Sequence, residues 1–160
     1  MQRDVLIAGD LAAFLEGGVS IVVSSSGGEG PTIGRALGCV VSPDRCRVTV
    51  FLSTSANAAL VAAVAATGVV AVVFTEPSTN RSVQLKGADA RIAPPEGDVG
   101  PLLSRHVEAF RRDLELIGFD EAFTRVLMAY DVDDFVALSF TPRCSFDQTP
   151  GARAGSPLAS

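Results

Sequence analysis

Residues 34–55 read "GRALGCVVSPDRCRVTVFLSTS". Two β-rich runs flank the turn tripeptide Pro43-Asp44-Arg45, the pattern of an antiparallel hairpin. In the returning run Cys46, Val48, Val50 and Leu52 alternate with Arg47, Thr49, Phe51 and Ser53, the period of two that a strand requires. The run ends in three hydroxyls, Ser53, Thr54 and Ser55, and an alanine-rich helix is predicted from about Ala56 to Thr67, stopped by Gly68. A helix needs one capping hydroxyl. The cluster therefore calls for a second use.

Upstream of the hairpin, "DLAAFLEGG" predicts a short helix with Asp10 as N-cap and Gly17 as its stop. "VSIVVSSS" predicts a strand, and "GGEGP" a loop with no helix behind it. Downstream, "VVAVVFTE" is an apolar strand, "PSTN" a turn, and "RSVQLKGADARI" a further strand with a bulge expected at Gly87. "PPEGD" breaks the chain before a long amphipathic helix, on which Leu103, Val107, Phe110, Leu114 and Ile117 share one face. A second helix, roughly Glu121 to Tyr130, is expected to bury Phe123, Val126 or Leu127, and Tyr130. "DFVALSFTPRC" reads as the last strand. The order of elements predicts an antiparallel split β-barrel of about six strands with flanking helices. Residues 1–143 read as one domain and 144–160 as an extended or disordered tail, with a crossing to a partner subunit as the sharper alternative.

Composition narrows the function classes. The chain has 160 residues and a net charge of −5, with Lys86 its sole lysine among 13 basic residues. An acidic surface argues against nucleic acid as the main partner. The longest apolar run, Ala59 to Phe74, is divided by Gly68 into halves too short to span a bilayer. The start of the chain lacks the pattern of a secretory signal, so a soluble, cytoplasmic protein without a membrane partner is expected. The three cysteines have no metal-ligand spacing, and His106 is the sole histidine, so no metal site is expected. His106 borders the packed face of the long helix and reads as a boundary residue. No Gly-x-Ser-x-Gly elbow is present for a serine hydrolase, and no side chain stands out as catalytic.

Taken together, "GRALGCVVSPDRCRVTVFLSTS", the helix behind it and "VVAVVFTEPSTNRSVQLKGADARI" resemble the FMN-binding split-barrel family related to pyridoxamine 5′-phosphate oxidase. The resemblance runs from about Asp10 to Arg91, and more loosely to Arg143. It implies a homodimer with FMN at the subunit interface and a flavin-dependent oxidoreductase acting on a small molecule, other than pyridoxamine phosphate itself. By positional match it implies cofactor contacts at Arg35 and Ala36 on the second strand, and at Leu52, Ser53, Thr54, Ser55 and Asn57 at the strand–helix junction. Ser82 and Gln84 on the later strand complete the set. The hydroxyl cluster would then hold the phosphate at the helix N-terminus, where unpaired N–H groups and the helix dipole favour an anion. The family usually has Arg-Lys after the cluster; here those positions are Ala56 and Asn57. That departure is the ground for an alternative reading, a cofactor-free dimeric binding or regulatory protein. A deazaflavin- or haem-binding relative is the other.

Overall fold

The computed structural model describes residues 6–27 and 30–158. Residues 28 and 29 of the expected "GGEGP" loop and the last two residues of the tail lie outside the described residues. The elements are α1 (Gly9–Leu15), β1 (Ser20–Gly27), β2 (Gly30–Val41), β3 (Val48–Ser53), α2 (Ala58–Thr67), β4 (Val70–Thr75), β5 (Ser82–Gly87), β6 (Arg91–Ala93), α3 (Gly100–Glu115), α4 (Glu121–Leu127), β7 (Phe135–Phe140) and β8 (Cys144–Asp147). The eight strands form one sheet in the order β6-β7-β3-β2-β1-β4-β5-β8. Every neighbouring pair is antiparallel. This is the expected antiparallel split barrel, with two short strands added.

Both additions come from segments whose sequence hides them. The stretch read as one strand from Arg81 to Ile92 divides: β5 pairs with β4, whereas β6 pairs with β7 at the other edge of the sheet. Gly87 is not a bulge but the end of β5, where a Cβ would stand 2.6 Å from Cδ2 of Phe140. The bulge lies in β2, where the pairing register with β3 shifts between Leu37 and Cys39 around Gly38, a residue with φ +76°. β8, in the segment read as tail, pairs with β5, and Phe146 bridges to Pro157.

The Gly38 bulge explains how one strand serves two cores. Side chains alternate between faces along a strand, and one extra residue reverses the alternation. Ala36 before the bulge and Cys39 and Val41 after it therefore face the same interior, with Ile21, Val50, Leu52, Val72, Phe74, Leu85 and Phe140. α1 and α2 add Leu15, Leu60 and Val64 to that core. Leu37 faces the other way, into a second cluster with Phe51, Leu103, Phe110, Leu114, Met128 and Phe135, where α3 covers the outer side of the sheet. α3 approaches closely at two glycines. A Cβ on Gly18 would lie 2.5 Å from the Ala109 carbonyl, and one on Gly38 would lie 2.4 Å from Cδ2 of Leu102.

The helices depart from expectation in three places. Asp10 is not the cap of α1: Ala8 holds the N-cap position and Asp10 lies in the first turn. On α3, Leu103, Phe110 and Leu114 are buried as expected, but Ile117 is 45% exposed and His106 replaces it on the buried face. α4 buries Thr124, with Met128 packed behind it, while Phe123, Val126, Leu127 and Tyr130 all remain exposed. α2 buries one side only, and Ala59, Ala62 and Ala66 are exposed. A methyl group costs little when left in water, so an alanine-rich helix needs less cover than its apolar composition suggests. Among the described residues no helix is long and apolar enough to cross a membrane.

Candidate functional site

A groove of about 550 Å³ opens between the first half of β2, the β3–α2 turn and the segment joining α4 to β7. β2 contributes Ile33 and Arg35 to its lining, the β3–α2 turn contributes Ser53, Ser55 and Asn57 as the floor, and the end of α4 and the segment after it contribute Leu127 and Tyr130. Its size suits a drug-sized or cofactor-sized ligand. Arg35 reaches it because β2 is uncovered before Ala36, so that Ile33 and Arg35 point outward. Arg35 is exposed and takes part in none of the ion pairs found among the described residues.

The floor explains two of the three hydroxyls, those of Ser53 and Ser55. Asp134, which leads into β7, points its carboxylate into the cluster. Ser53 Oγ donates to Asp134 Oδ2 at 2.6 Å and Ser55 Oγ donates to the same oxygen at 2.5 Å. The Ser55 backbone N–H donates to Oδ1 at 3.1 Å. The Thr54 N–H is taken by the Asp134 carbonyl at 2.9 Å. Hydrogen bonds from Ser53 first, then Ser55, hold the Asp134 pKa below the ordinary carboxylate value. The anion that the cluster binds is therefore a side chain of this chain. Ser53 Oγ also accepts from the Ala56 N–H at 3.2 Å, in the turn before α2. Asn57 is buried and donates from Nδ2 to the Ser53 carbonyl at 2.9 Å. Its Oδ1 fills the space that a Cβ on Gly34 would need. α2 has no side-chain cap.

The residues singled out from the sequence separate into three groups. Arg35, Ser53, Ser55 and Asn57 meet in the groove, and Thr54 borders it through the backbone contact just described. Ala36 and Leu52 are cross-strand partners inside the barrel core, 1% and 0% exposed, and present no side chain to the groove. Ser82 and Gln84 lie on β5, which β1 and β4 separate from β2. That is about 14 Å across the sheet at ~4.8 Å per strand step. Ser82 is buried, shares a 2.9 Å hydrogen bond with Thr75 and accepts the Thr149 hydroxyl at its backbone carbonyl. Gln84 Oε1 accepts from Gln148 Nε2 at 3.3 Å. Arg153 pairs with Asp147 at 3.1 Å, on the β8 side of the sheet.

Sequence reading passed over Asp134 and misplaced His106. Asp134 stands 79 residues from Ser55 in a run of three acidic residues within four positions, which reads as an exposed loop. The signal that singles it out is its place immediately before β7, opposite the end of β3. His106 is 4% exposed and lines a separate cleft with Glu16, Cys39 and Arg105. Among the described residues neither ring nitrogen has a hydrogen-bond partner. Burial pushes its pKa down to about 4, and the Gly17 carbonyl nearby draws it slightly upward without reaching hydrogen-bond geometry. Burial, with Glu16 adding to it, raises the Cys39 thiol well above its ordinary value. Among the described residues no three His, Cys, Asp or Glu groups are placed to hold a metal.

FMN requires a place for its phosphate, and the hydroxyl cluster does not supply one as it stands. Its three donors are spent on Asp134, whose charge repels a second anion. Among the described residues Arg35 is the sole cationic side chain lining the groove, against Asp131 and Asp134.

No protein-family model and no curated protein matches the sequence. Solved structures match the fold. HupZ of Group A Streptococcus superposes with a TM-score of 0.55 at 14% identity, over 93% of this chain and 99% of that one. An F420 reductase superposes with a TM-score of 0.52 at 13% identity, over 83% and 93% of the two chains. A pyridoxamine 5′-phosphate oxidase-related, FMN-binding protein of Nostoc punctiforme gives 0.47 at 11% identity, over 90% and 79%. In fold, this chain is an antiparallel split barrel similar to HupZ and the F420 reductase.

Proposed function

We propose that this chain is a homodimeric split-barrel protein that binds a flavin-class cofactor in the Arg35 groove and serves redox chemistry on a small molecule. The observation that carries this reading is the groove itself. Apolar side chains (Ile33, Leu127, Tyr130) are among its lining, together with a guanidinium, Arg35, that is in none of the ion pairs among the described residues. Planar heteroaromatic rings suit such walls, and a guanidinium suits an anionic ring edge or tail. The fold shared with an F420 reductase supports a cofactor of the flavin or deazaflavin class. Such a cofactor supplies electron or hydride transfer; the part of this chain is to bind, orient and exclude water. FMN is the member of that class which the sequence resemblance implies, but its phosphate would have to lie beside Arg35 rather than among the hydroxyls.

The homodimer follows from an exposed apolar band. Phe119 and Phe123 stack at 4.6 Å between ring centroids, and Val126 is 80% exposed. Ile33 extends the band to the wall of the groove. A second copy covering this band would enclose the groove as well.

The test is a visible absorption spectrum of freshly purified protein, repeated after adding FMN, riboflavin or F420 and removing the excess. A retained flavin or deazaflavin spectrum that weakens in Arg35→Ala is the expected result. A colourless protein that retains none of them removes the reading. The second reading, a cofactor-free dimeric binding protein, is favoured by one observation: the expected phosphate position already holds a carboxylate.

A further inference from the structure

Ser53 and Ser55 make a working anion cradle whose occupant is Asp134. Two hydroxyls and one backbone N–H converge on one carboxylate within 3.1 Å. Asp134 is held there by the sheet: Ser53 pairs with Phe135, the residue after it, and the Thr54 N–H binds its carbonyl. The placement is thus set by β3–β7 pairing rather than by a free side chain settling on a polar surface. A carboxylate has about four lone-pair positions, and three donors already use most of them. A phosphate aimed at the same donors would meet a like charge and find those donors engaged.

We infer that Asp134 determines which ligands the groove accepts, selecting flavin-class molecules with a neutral polyhydroxy tail over those whose tail ends in phosphate. A polyol offers hydroxyl donors to the carboxylate's remaining lone pairs, whereas a phosphate offers only further negative charge. Asp131, also in the lining, adds to the same bias. Arg35 alone opposes it. The inference rests on the flavin-class reading for its ligand, while the cradle and its occupant stand independently of that reading. Asp134 is a specificity residue, with no part in electron transfer.

The test uses the full chain as wild type, Asp134→Ala and Asp134→Asn, each checked for native circular dichroism. Riboflavin and FMN are titrated by flavin fluorescence quenching, and inorganic phosphate by the change in Tm and by amide shifts of Ser55 and Ala56. Wild type is expected to bind riboflavin about tenfold or more tightly than FMN. Both variants are expected to narrow or reverse that ratio. Phosphate is expected to stabilise Asp134→Ala and shift its Ser55 amide while leaving wild type unaffected. If wild type prefers FMN, or if neither variant changes the ratio and phosphate binds no better to the variants, the inference is overturned. If no form binds any flavin, the flavin-class reading fails, and the phosphate titration alone decides whether Asp134 fills an anion cradle. Asp134→Asn removes the charge with little change of shape, so it decides the matter if Asp134→Ala does not fold.

Discussion

Asp134 lies near the surface with three hydrogen-bond donors on its carboxylate, whereas His106 lies on the buried face of α3 with none on either ring nitrogen among the described residues. The usual arrangement is the reverse: buried polar groups are bonded and exposed ones are left to water. The difference is in what each environment allows. A half-exposed carboxylate stays charged and attracts two hydroxyls and a backbone N–H from Ser53 and Ser55. A buried imidazole can discard its charge, and as a neutral ring it packs almost as an aromatic side chain, near-parallel to Phe110 at 6.4 Å. His106 is therefore tolerated because it is neutral, and Asp134 is organised because it is ionised.

The largest expected effect comes from breaking the seat of α3. In Gly18→Ala the new methyl would meet the Ala109 backbone at 2.5 Å, and backbone cannot move aside as a flexible side chain can. We expect a loss of about 3 kcal/mol or more in urea unfolding. A variant within 1 kcal/mol of wild type (order of magnitude) would mean that α3 does not dock as described and that His106 is not held in a dry site.

Next is the pH dependence of His106. In the unfolded chain its pKa is the ordinary value near 6.5; in the folded chain it is about 4. Between these values the unfolded state binds more protons, so stability falls as the pH drops through 6.5 and the loss is complete below about 4. The loss amounts to about 3 kcal/mol. Glu16, Arg105 and Cys39 line the same cleft, so the control is His106→Leu. Its unfolding free energy should lose this dependence between pH 6.5 and 4 while the acidic limb below 4 remains. An unchanged profile in His106→Leu would show that the ring is solvated or partnered.

On the Asp134 side the stability effects are smaller. Ser53→Ala with Ser55→Ala removes two exposed or half-exposed donors, and Tm should fall by no more than about 5 °C. A larger fall would make the cluster chiefly a fastener of β3 to β7, and a negligible one would weaken the case that Asp134 is fixed in place. The smallest stability change is expected for Val126→Glu, at a residue 80% exposed. Its Tm should move little, but light scattering should show the dimer dissociating to monomer. A wild-type protein that is already monomeric would remove the proposed role of the apolar band.

How far the site was legible depended on whether its signals were local. The hairpin from Gly34 to Ser55 declares itself through alternation and a Pro-Asp-Arg turn, and the stop at Gly68 is confirmed by its φ of +66°. The break after Gly87 carries no such mark, because "LKGADARI" keeps strand-like residues on both sides of a chain that leaves one edge of the sheet and reaches the other. α4 misled for a related reason. Its apolar residues follow a helical period, but the face they form looks outward, and period alone does not say which side meets the core.

By itself the sequence determined the antiparallel hairpins and the main strands and helices, because these depend on side-chain period and on turn residues close together in the chain; the grouping of Arg35 with the hydroxyl cluster was only what the family resemblance implied. Only the tertiary structure decided that Gly38 rather than Gly87 reverses the faces of a strand, that His106 is buried neutral, and that Asp134 fills the cradle made by Ser53 and Ser55. Each of those outcomes rests on contacts between segments distant in sequence, where close approach and charge balance decide and local pattern is silent.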